Sequence, residues 1–309
     1  MKTPPRGILL IALGSPQYGC YAANLAASIR YNDPDLPIHL VHTEESVSHL
    51  AAEHRALFSS MELCPPDAYT MPATCQPVPA NPIQYIRAKT WMYDLSPYAE
   101  TLFLDVDTMI LPGHSMAALM EELATQCDFT IENRGYADLS TEKSLADYSV
   151  WCNVEDLRTC FSTEIKKSEQ PLRYYNLHSE LVYFKKNKAN KKFFDKVKRI
   201  YDAPPVRATQ FDTGLSDEFA FSTAMMLLQH YPHRDYYIRI YWSYAEKEHD
   251  WYTHVTRNFL AFSLGGNMLR ERIKARVTAY NNLFKQKLGL PYLFTLHHKK
   301  VWNKHRERM

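Results

Sequence analysis

Two aspartates, Asp105 and Asp107, follow the apolar run Thr101 to Leu104 with a single residue between them. Like charges this close repel, and a strand end that keeps both is explained by a cation between them. Carboxylate oxygens are hard ligands suited to Mg²⁺ or Mn²⁺, and a cation held this way can bridge a diphosphate. On the diphosphate of a nucleotide-sugar it would act as a Lewis acid, neutralising the leaving group as the anomeric C–O bond breaks, with no protein nucleophile required. An Asp-x-Asp triplet alone occurs by chance on many surfaces, so its weight comes from its surroundings. A helical segment bearing Arg87 and Lys89 precedes it, and a second acid pair, Asp217 and Glu218, stands in "LSDEFAF". Arg87 reads equally as a surface ion pair or as a group that holds phosphate or the aspartates. Asp217 and Glu218 read as carboxylates at a helix start, favoured there by the helix dipole, or as an acid pair facing a substrate.

The elements that must position these groups alternate. "GILLIAL" (Gly7 to Leu13) is a continuous apolar strand, followed by a Gly/Pro turn and an Ala-rich helix, Tyr21 to Tyr31. "IHLVH" (Ile38 to His42) is a second strand, and Val47, Leu50, Ala51, His54 and Leu57 recur at helical spacing after it. This βαβ unit predicts a parallel sheet with helices on its faces. The Pro-rich segment Pro65 to Pro82 reads as a loop, Ile83 to Leu95 as a helix, and "TLFLDVD" as a central strand ending at the aspartates. Ligands of open α/β sheets bind outside the carboxyl ends of strands, which is where Asp105 and Asp107 fall. Downstream, Cys127 to Glu132, Glu180 to Phe184 and Tyr236 to Tyr241 read as strands, and Asn133 to Arg173 as a partly helical excursion. In the basic segment "KKNKANKKFFDKVKR" (Lys185 to Arg199), continued to Tyr201, Phe193, Phe194, Val197, Ile200 and Tyr201 share one helical face.

"YIRAKTWMYDLSPYAETLFLDVDTMIL" (Tyr85 to Leu111) resembles the matching segment of GT-A fold glycosyltransferases, especially the glycogenin-like retaining families. "GILLIALGSPQYGCYAANLAASI" resembles the nucleotide-binding start of that fold, so the likeness covers roughly the first 110 residues. "HSELVYFKKNK" (His178 to Lys188) is similar to the family's Asn-Ser-Gly strand start, with His178 for Asn and Glu180 for Gly. "LSDEFAF" is similar to its Asp-Gln segment, with Glu218 for Gln. The resemblance implies an α/β, Rossmann-like GT-A architecture: a mostly parallel sheet flanked by helices, with a basic helical C-terminal extension. It implies a catalytic domain over 1–264, with a nucleotide-binding half to about 111 and an acceptor half to 264, and the extension over 265–309. It also implies a metal-dependent transferase moving a sugar from a nucleoside diphosphate donor, UDP-linked, to an acceptor hydroxyl. Asp105 and Asp107 would carry Mn²⁺ or Mg²⁺, with Asp107 the more direct ligand, and Arg87 and Lys89 would neutralise the diphosphate. Ala12, Leu13 and Tyr18 would line the nucleotide pocket, while Asp217 and Glu218 would face the sugar and the incoming hydroxyl. An imidazole ligand is common in this fold. The family's His-x-x-Gly-x-Lys-Pro-Trp pattern is missing here, and His254 and His249 are the best candidates, with His233 behind them.

The chain has 309 residues, 46% hydrophobic and 23% charged, enough for one large domain or a domain with an appendage. Its apolar runs fall far short of the roughly 20 residues that span a bilayer, so no transmembrane segment and a cytoplasmic location are expected. Six cysteines without a CxxC spacing indicate neither a zinc knuckle nor a disulfide framework. The net charge of +2 is segregated: residues 265–309 hold eleven Lys or Arg against two Glu, a balance of +9, leaving −7 on the other 264. Such segregation fits a polyanionic partner. Basic residues interleaved with aromatics suit a nucleic-acid backbone with stacked bases, and the chain resembles phage enzymes that glycosylate hydroxymethylated bases in DNA. The competing acceptor is a lipopolysaccharide or other membrane-linked glycan. A nucleotidyltransferase is disfavoured because "ALGSPQYG" carries no basic residue. A non-catalytic nucleic-acid or membrane-surface binder leaves the two aspartates unexplained.

Overall fold

A computed structural model describes residues 6–73, 81–139, 152–168, 170–208, 210–211, 214–241, 258–264 and 271–294. In chain order the elements begin with β1 (Arg6–Ala12), α1 (Pro16–Asn32), β2 (Ile38–His42), α2 (Ala52–Arg55), β3 (Ser60–Leu63) and α3 (Pro66–Tyr69). A 3-10 helix (Tyr85–Trp91), α4 (Met92–Leu95), β4 (Glu100–Leu104), β5 (Thr108–Ile110), α5 (Met116–Gln126) and β6 (Phe129–Asp138) follow. Then come α6 (Val154–Cys160), α7 (Ser162–Lys167), β7 (Arg173–Lys185), α8 (Lys188–Asp202), β8 (Gln210–Phe211), β9 (Gly214–Leu215) and α9 (Asp217–Leu228). β10 (Ile240–Tyr241), β11 (Ala261–Ser263) and a last helix, Glu271–Leu288, complete them. The fold is α/β, with a mostly parallel central sheet flanked by helices. The chain divides into two compact units: 1–6, 64–103 and 123–238 make the first, and 7–63, 104–122 and 239–309 the second.

In the second unit the strands run in the order β3-β2-β1, all parallel, with Leu10 opposite Leu40 and Leu40 opposite Met61. β1 and β2 are buried almost throughout because both faces are covered, which is why Ile8 to Ala12 reads as an unbroken apolar run. Helix α1 starts on the cap Ser15, whose hydroxyl accepts the Gln17 N–H. Gly19 lets this helix approach the turn after β2, since a Cβ there would lie 1.9 Å from the Ser46 carbonyl oxygen. The spacing of Val47, Leu50 and Leu57 predicts a helix, and all three are buried, yet the backbone forms turns with only α2 helical. Ser46 holds it so: its hydroxyl donates to the carbonyls of Ala12 and Thr43. The last helix packs on α1, burying Val277 and Phe284, and Lys287 lies over the Tyr31 ring.

In the first unit the strand order is β4-β7-β6, with β6 and β7 antiparallel. β7 runs thirteen residues rather than the five expected, and β6 reaches Asp138, into the segment expected to be a partly helical excursion. Two register shifts, at Ile131/Glu132 and Asn133/Tyr136, accommodate the polar residues that hid these strands. Gly135 takes a φ of +90° at the second shift, its N–H donating to Asn133 Oδ1. Helices α8 and α9 pack together, and α9 also lies on β7. The aromatic face predicted for α8 is buried as predicted, with Phe193, Phe194, Val197, Ile200 and Tyr201 all inside.

Candidate active site

Asp105 and Asp107 sit on the tight turn between β4 and β5. The Asp105 carbonyl accepts the Thr108 N–H at 3.2 Å and the Thr108 hydroxyl at 2.8 Å, and Asp105 Oδ1 accepts the Val106 N–H. Val106, only 2% exposed, anchors the turn in the core and leaves the flanking carboxylates half-buried. β5 pairs antiparallel with β11, and the Leu264 N–H donates to the Asp107 carbonyl, so the turn is fixed at both ends. On α1, Gln17 Nε2 donates to the Tyr21 hydroxyl at 2.7 Å. Burial, helped by the charge of Asp107, pushes the Tyr21 phenol up to about 12, so a neutral phenol accompanies the carboxylate at any ordinary pH. Tyr21 was not legible as a site residue, since its position in an Ala-rich helix reads as core.

Of the three positions expected to line a nucleotide, Ala12 and Leu13 have buried side chains, and the Ala12 carbonyl is taken by Ser46. Tyr18, in the first turn of α1, is half-buried and keeps exposed side-chain surface. Arg87 forms an ion pair, as one of its two expected readings had it, but a buried one. It is 4% exposed, not on the surface, and its Nε and Nη2 grip the two carboxylate oxygens of Asp202 at 2.6 and 2.7 Å, while Nη1 donates to the Asp67 carbonyl. Those contacts occupy three of the five guanidinium N–H donors.

The second acid pair opens α9, as "LSDEFAF" predicted, with Ser216 as N-cap. The Ser216 hydroxyl accepts the Phe219 N–H and bonds Glu218 Oε2 at 2.9 Å, while the Ser179 hydroxyl donates to Glu218 Oε1 at 3.1 Å. Asp217 is buried at 2% exposure, and its Oδ2 has no hydrogen-bond partner among the described residues. Its carboxyl is pushed well above the usual range, to about 7, first by burial and then by the charge of Glu218, against the opposing pull of Lys89. Lys89 is thus the positive member of this cluster, half-buried on the 3-10 helix. The buried Tyr201 phenol is raised by burial and then by the Asp217 charge. Gly214, φ +142°, makes room for it, since a Cβ there would come within 2.3 Å of the Tyr201 hydroxyl. On β7, burial and Arg134 push His178 down to about 4, so the ring that stands where the resembling families have Asn is a neutral imidazole. A carboxyl that titrates near neutrality beside an ionisable partner can both donate and accept hydrogen bonds, the set a sugar hydroxyl needs.

His254 and His249 lie outside the described residues, and His233 is exposed. Among the described residues no group of three or more His, Cys, Asp or Glu gathers as a metal cage. Two carboxylates on a turn nevertheless fit Mg²⁺ or Mn²⁺ in the mode in which the protein supplies one or two oxygens and substrate phosphates supply others.

No protein-family model and no curated protein sequence matches the chain. Solved structures do. The bifunctional glycosyltransferase WbbM matches with a TM-score of 0.53 at 13% identity, over 86% of this chain and 46% of WbbM. The galactosyltransferase LgtC, solved with donor and acceptor sugar analogues, matches with a TM-score of 0.47 at 13% identity over 96% and 99% of the two chains. The mannosyltransferase Ktr4p from S. cerevisiae matches with a TM-score of 0.43 at 11% identity over 72% and 66%. This chain spans less than half the length of WbbM, and the likeness between them shows that the two share the α/β architecture of GT-A glycosyltransferases, a mostly parallel sheet flanked by helices.

Proposed function

We propose that this protein is a metal-dependent glycosyltransferase that moves a sugar from a nucleoside diphosphate donor, UDP-linked, to an acceptor hydroxyl. The observation that carries the reading is the Asp105-Val106-Asp107 turn, two carboxylates rigidly presented at the carboxyl end of β4 in a fold shared with a glycosyltransferase. Asp105 and Asp107 would hold Mn²⁺ or Mg²⁺. Bound there, the cation would supply Lewis-acid neutralisation of the diphosphate leaving group. The Tyr21 phenol, held neutral beside Asp107, would donate a hydrogen bond without competing for the cation.

Asp217 and Glu218 would bind hydroxyls of the transferred sugar or the acceptor. Ser179 and Ser216 orient the Glu218 carboxylate from two sides, so it accepts from a fixed direction. The unpartnered Asp217 Oδ2 is a buried polar atom that a substrate hydroxyl would satisfy. Lys89 would limit the charge that accumulates in the pair. The acceptor we favour is a hydroxymethylated base in DNA, on the charge pattern of the C-terminal residues; 265–270 and 295–309 of that segment lie outside the described residues. A membrane-linked glycan is the alternative, and among the described residues no helix is long and apolar enough to cross a membrane.

The test is a panel of nucleotide-sugars with Mn²⁺, read as nucleoside diphosphate release with and without hydroxymethylated DNA. Release from one donor, stimulated by that DNA, supports the reading. Release unaffected by DNA but raised by a lipid-linked glycan keeps the enzyme class and overturns the acceptor, and no release from any donor overturns the class.

A further inference from the structure

Helix α8 has an aromatic inner face and a cationic outer face. Phe193 lies 4.8 Å from the Phe129 ring and 5.0 Å from His230, and Phe194 lies 4.9 Å from Phe184, centroid to centroid. Asn187 caps the helix through the Asn190 N–H at 2.8 Å, so its backbone is held at the start and along one side.

The nearby acids are already engaged. Asp195 is bonded by Lys191 at 2.6 Å and Lys198 at 3.1 Å, and Asp94 by Lys198 at 2.6 Å and Lys191 at 3.8 Å. Lys185 pairs with Asp128, and Lys186 donates to the Ser96 carbonyl. Lys188, Lys192, Lys196 and Arg199 have no ion pair or hydrogen bond among the described residues, and all but the half-buried Lys196 are exposed. Their spacing of four, four and three residues confines them to about 80° of the helix circumference, in a line about 16 Å long.

We propose that this line of cations is a docking surface for the phosphate backbone of duplex DNA. A row repeating about every 6 Å on a rigid axis matches a periodic array of phosphates, and its cations would displace condensed counterions on contact. Single strands are gripped through exposed aromatic platforms, whereas every aromatic of α8 is buried. Durable attachment to a bilayer joins basic charge to an inserted apolar group, and α8 exposes no large apolar side chain. The inference stands independently of the transferase reading, because it concerns binding and not turnover.

The test measures affinity of the full chain for a fluorescent DNA duplex by anisotropy between 50 and 200 mM salt. Four phosphate contacts contribute a log–log slope of about −3.6, so the combined variant K188Q/K192Q/K196Q/R199Q flattens the slope by about that amount. Over this salt range the wild type then loses about 150-fold more affinity than the variant. The control K191Q/K198Q, which removes only cations already paired with Asp94 and Asp195, keeps the wild-type slope. Contacts made by other basic segments cancel in these differences. A quadruple variant with the wild-type slope, a control that flattens it equally, no wild-type binding at 50 mM salt, or preference for phosphatidylserine vesicles over DNA overturns the proposal.

Discussion

Replacing Arg87 with Ala separates a structural arginine from a phosphate-binding one. Three guanidinium nitrogens are engaged, two on Asp202 and one on the Asp67 carbonyl, and the guanidinium carbon lies 5.4 Å from the Trp91 ring centroid. Truncation leaves the Asp202 carboxylate facing a void. Breaking a buried pair from one side costs about 3–5 kcal/mol, and because the Asp202 side chain keeps 23% of its exposure, the lower end, about 3 kcal/mol, applies. Lys at this position restores the charge but not the two-pronged contact, so Arg87→Lys recovers only part of the loss. Denaturant unfolding of the unliganded protein reads these values, and a cycle with Asp202→Asn gives a coupling of about 2 kcal/mol. Donor KM for whatever folded protein remains stays close to wild type. An Arg87→Ala protein with a wild-type unfolding midpoint and a KM for donor raised tenfold or more would refute the structural assignment and return Arg87 to the diphosphate.

Asp217 has a folded value raised above its unfolded one, so the stability it contributes is full below about pH 4 and is lost as pH rises toward about 7. Asp217→Asn escapes that loss, and its stability relative to wild type should climb by roughly 1.4 kcal/mol per pH unit between those limits, measured by urea melts; parallel profiles would rule out a buried proton on the pair. Gly214→Ala puts a Cβ against the Tyr201 hydroxyl at a φ that L residues avoid, so it should destabilise by about 1–3 kcal/mol and lower turnover, and the same change with Tyr201→Phe should recover part of the stability. Ser216→Ala removes the α9 cap and one of the two hydroxyls on Glu218, costing about 1 kcal/mol in thermal unfolding, and an unchanged melting temperature would contradict the cap.

What the sequence disclosed follows from what periodicity encodes. Apolar runs revealed β1, β2 and β4 because both faces of those strands are covered, and the stripe of Phe193, Phe194, Val197 and Ile200 revealed α8 because its partner surface is continuous. Val47, Leu50 and Leu57 were found as buried residues but not as turns, since their backbone is dictated by Ser46 reaching across to β1. β6 and β7 were underestimated because Glu132, Asn133, Asn176 and His178 break the alternation where the ladder shifts register. The site divides the same way. Asp105, Asp107, Asp217 and Glu218 declare themselves by charge at element ends. Ser179, Tyr21 and Tyr201 are ordinary core letters until the chain brings them beside a carboxylate, and the partner of Arg87 lies 115 residues away.

In the proposed reaction the Asp105-Val106-Asp107 turn holds the cation that serves donor cleavage. Nucleoside diphosphate release by Asp107→Asn in saturating Mn²⁺ or Mg²⁺ tests it most directly, because the Asp107 contact to Leu264 runs through the backbone and survives the change. Release at background with the wild-type unfolding midpoint retained is expected, as is release by the wild type that EDTA abolishes and Mn²⁺ restores. Near wild-type release by the folded Asn variant, or undiminished wild-type release in EDTA, would contradict it.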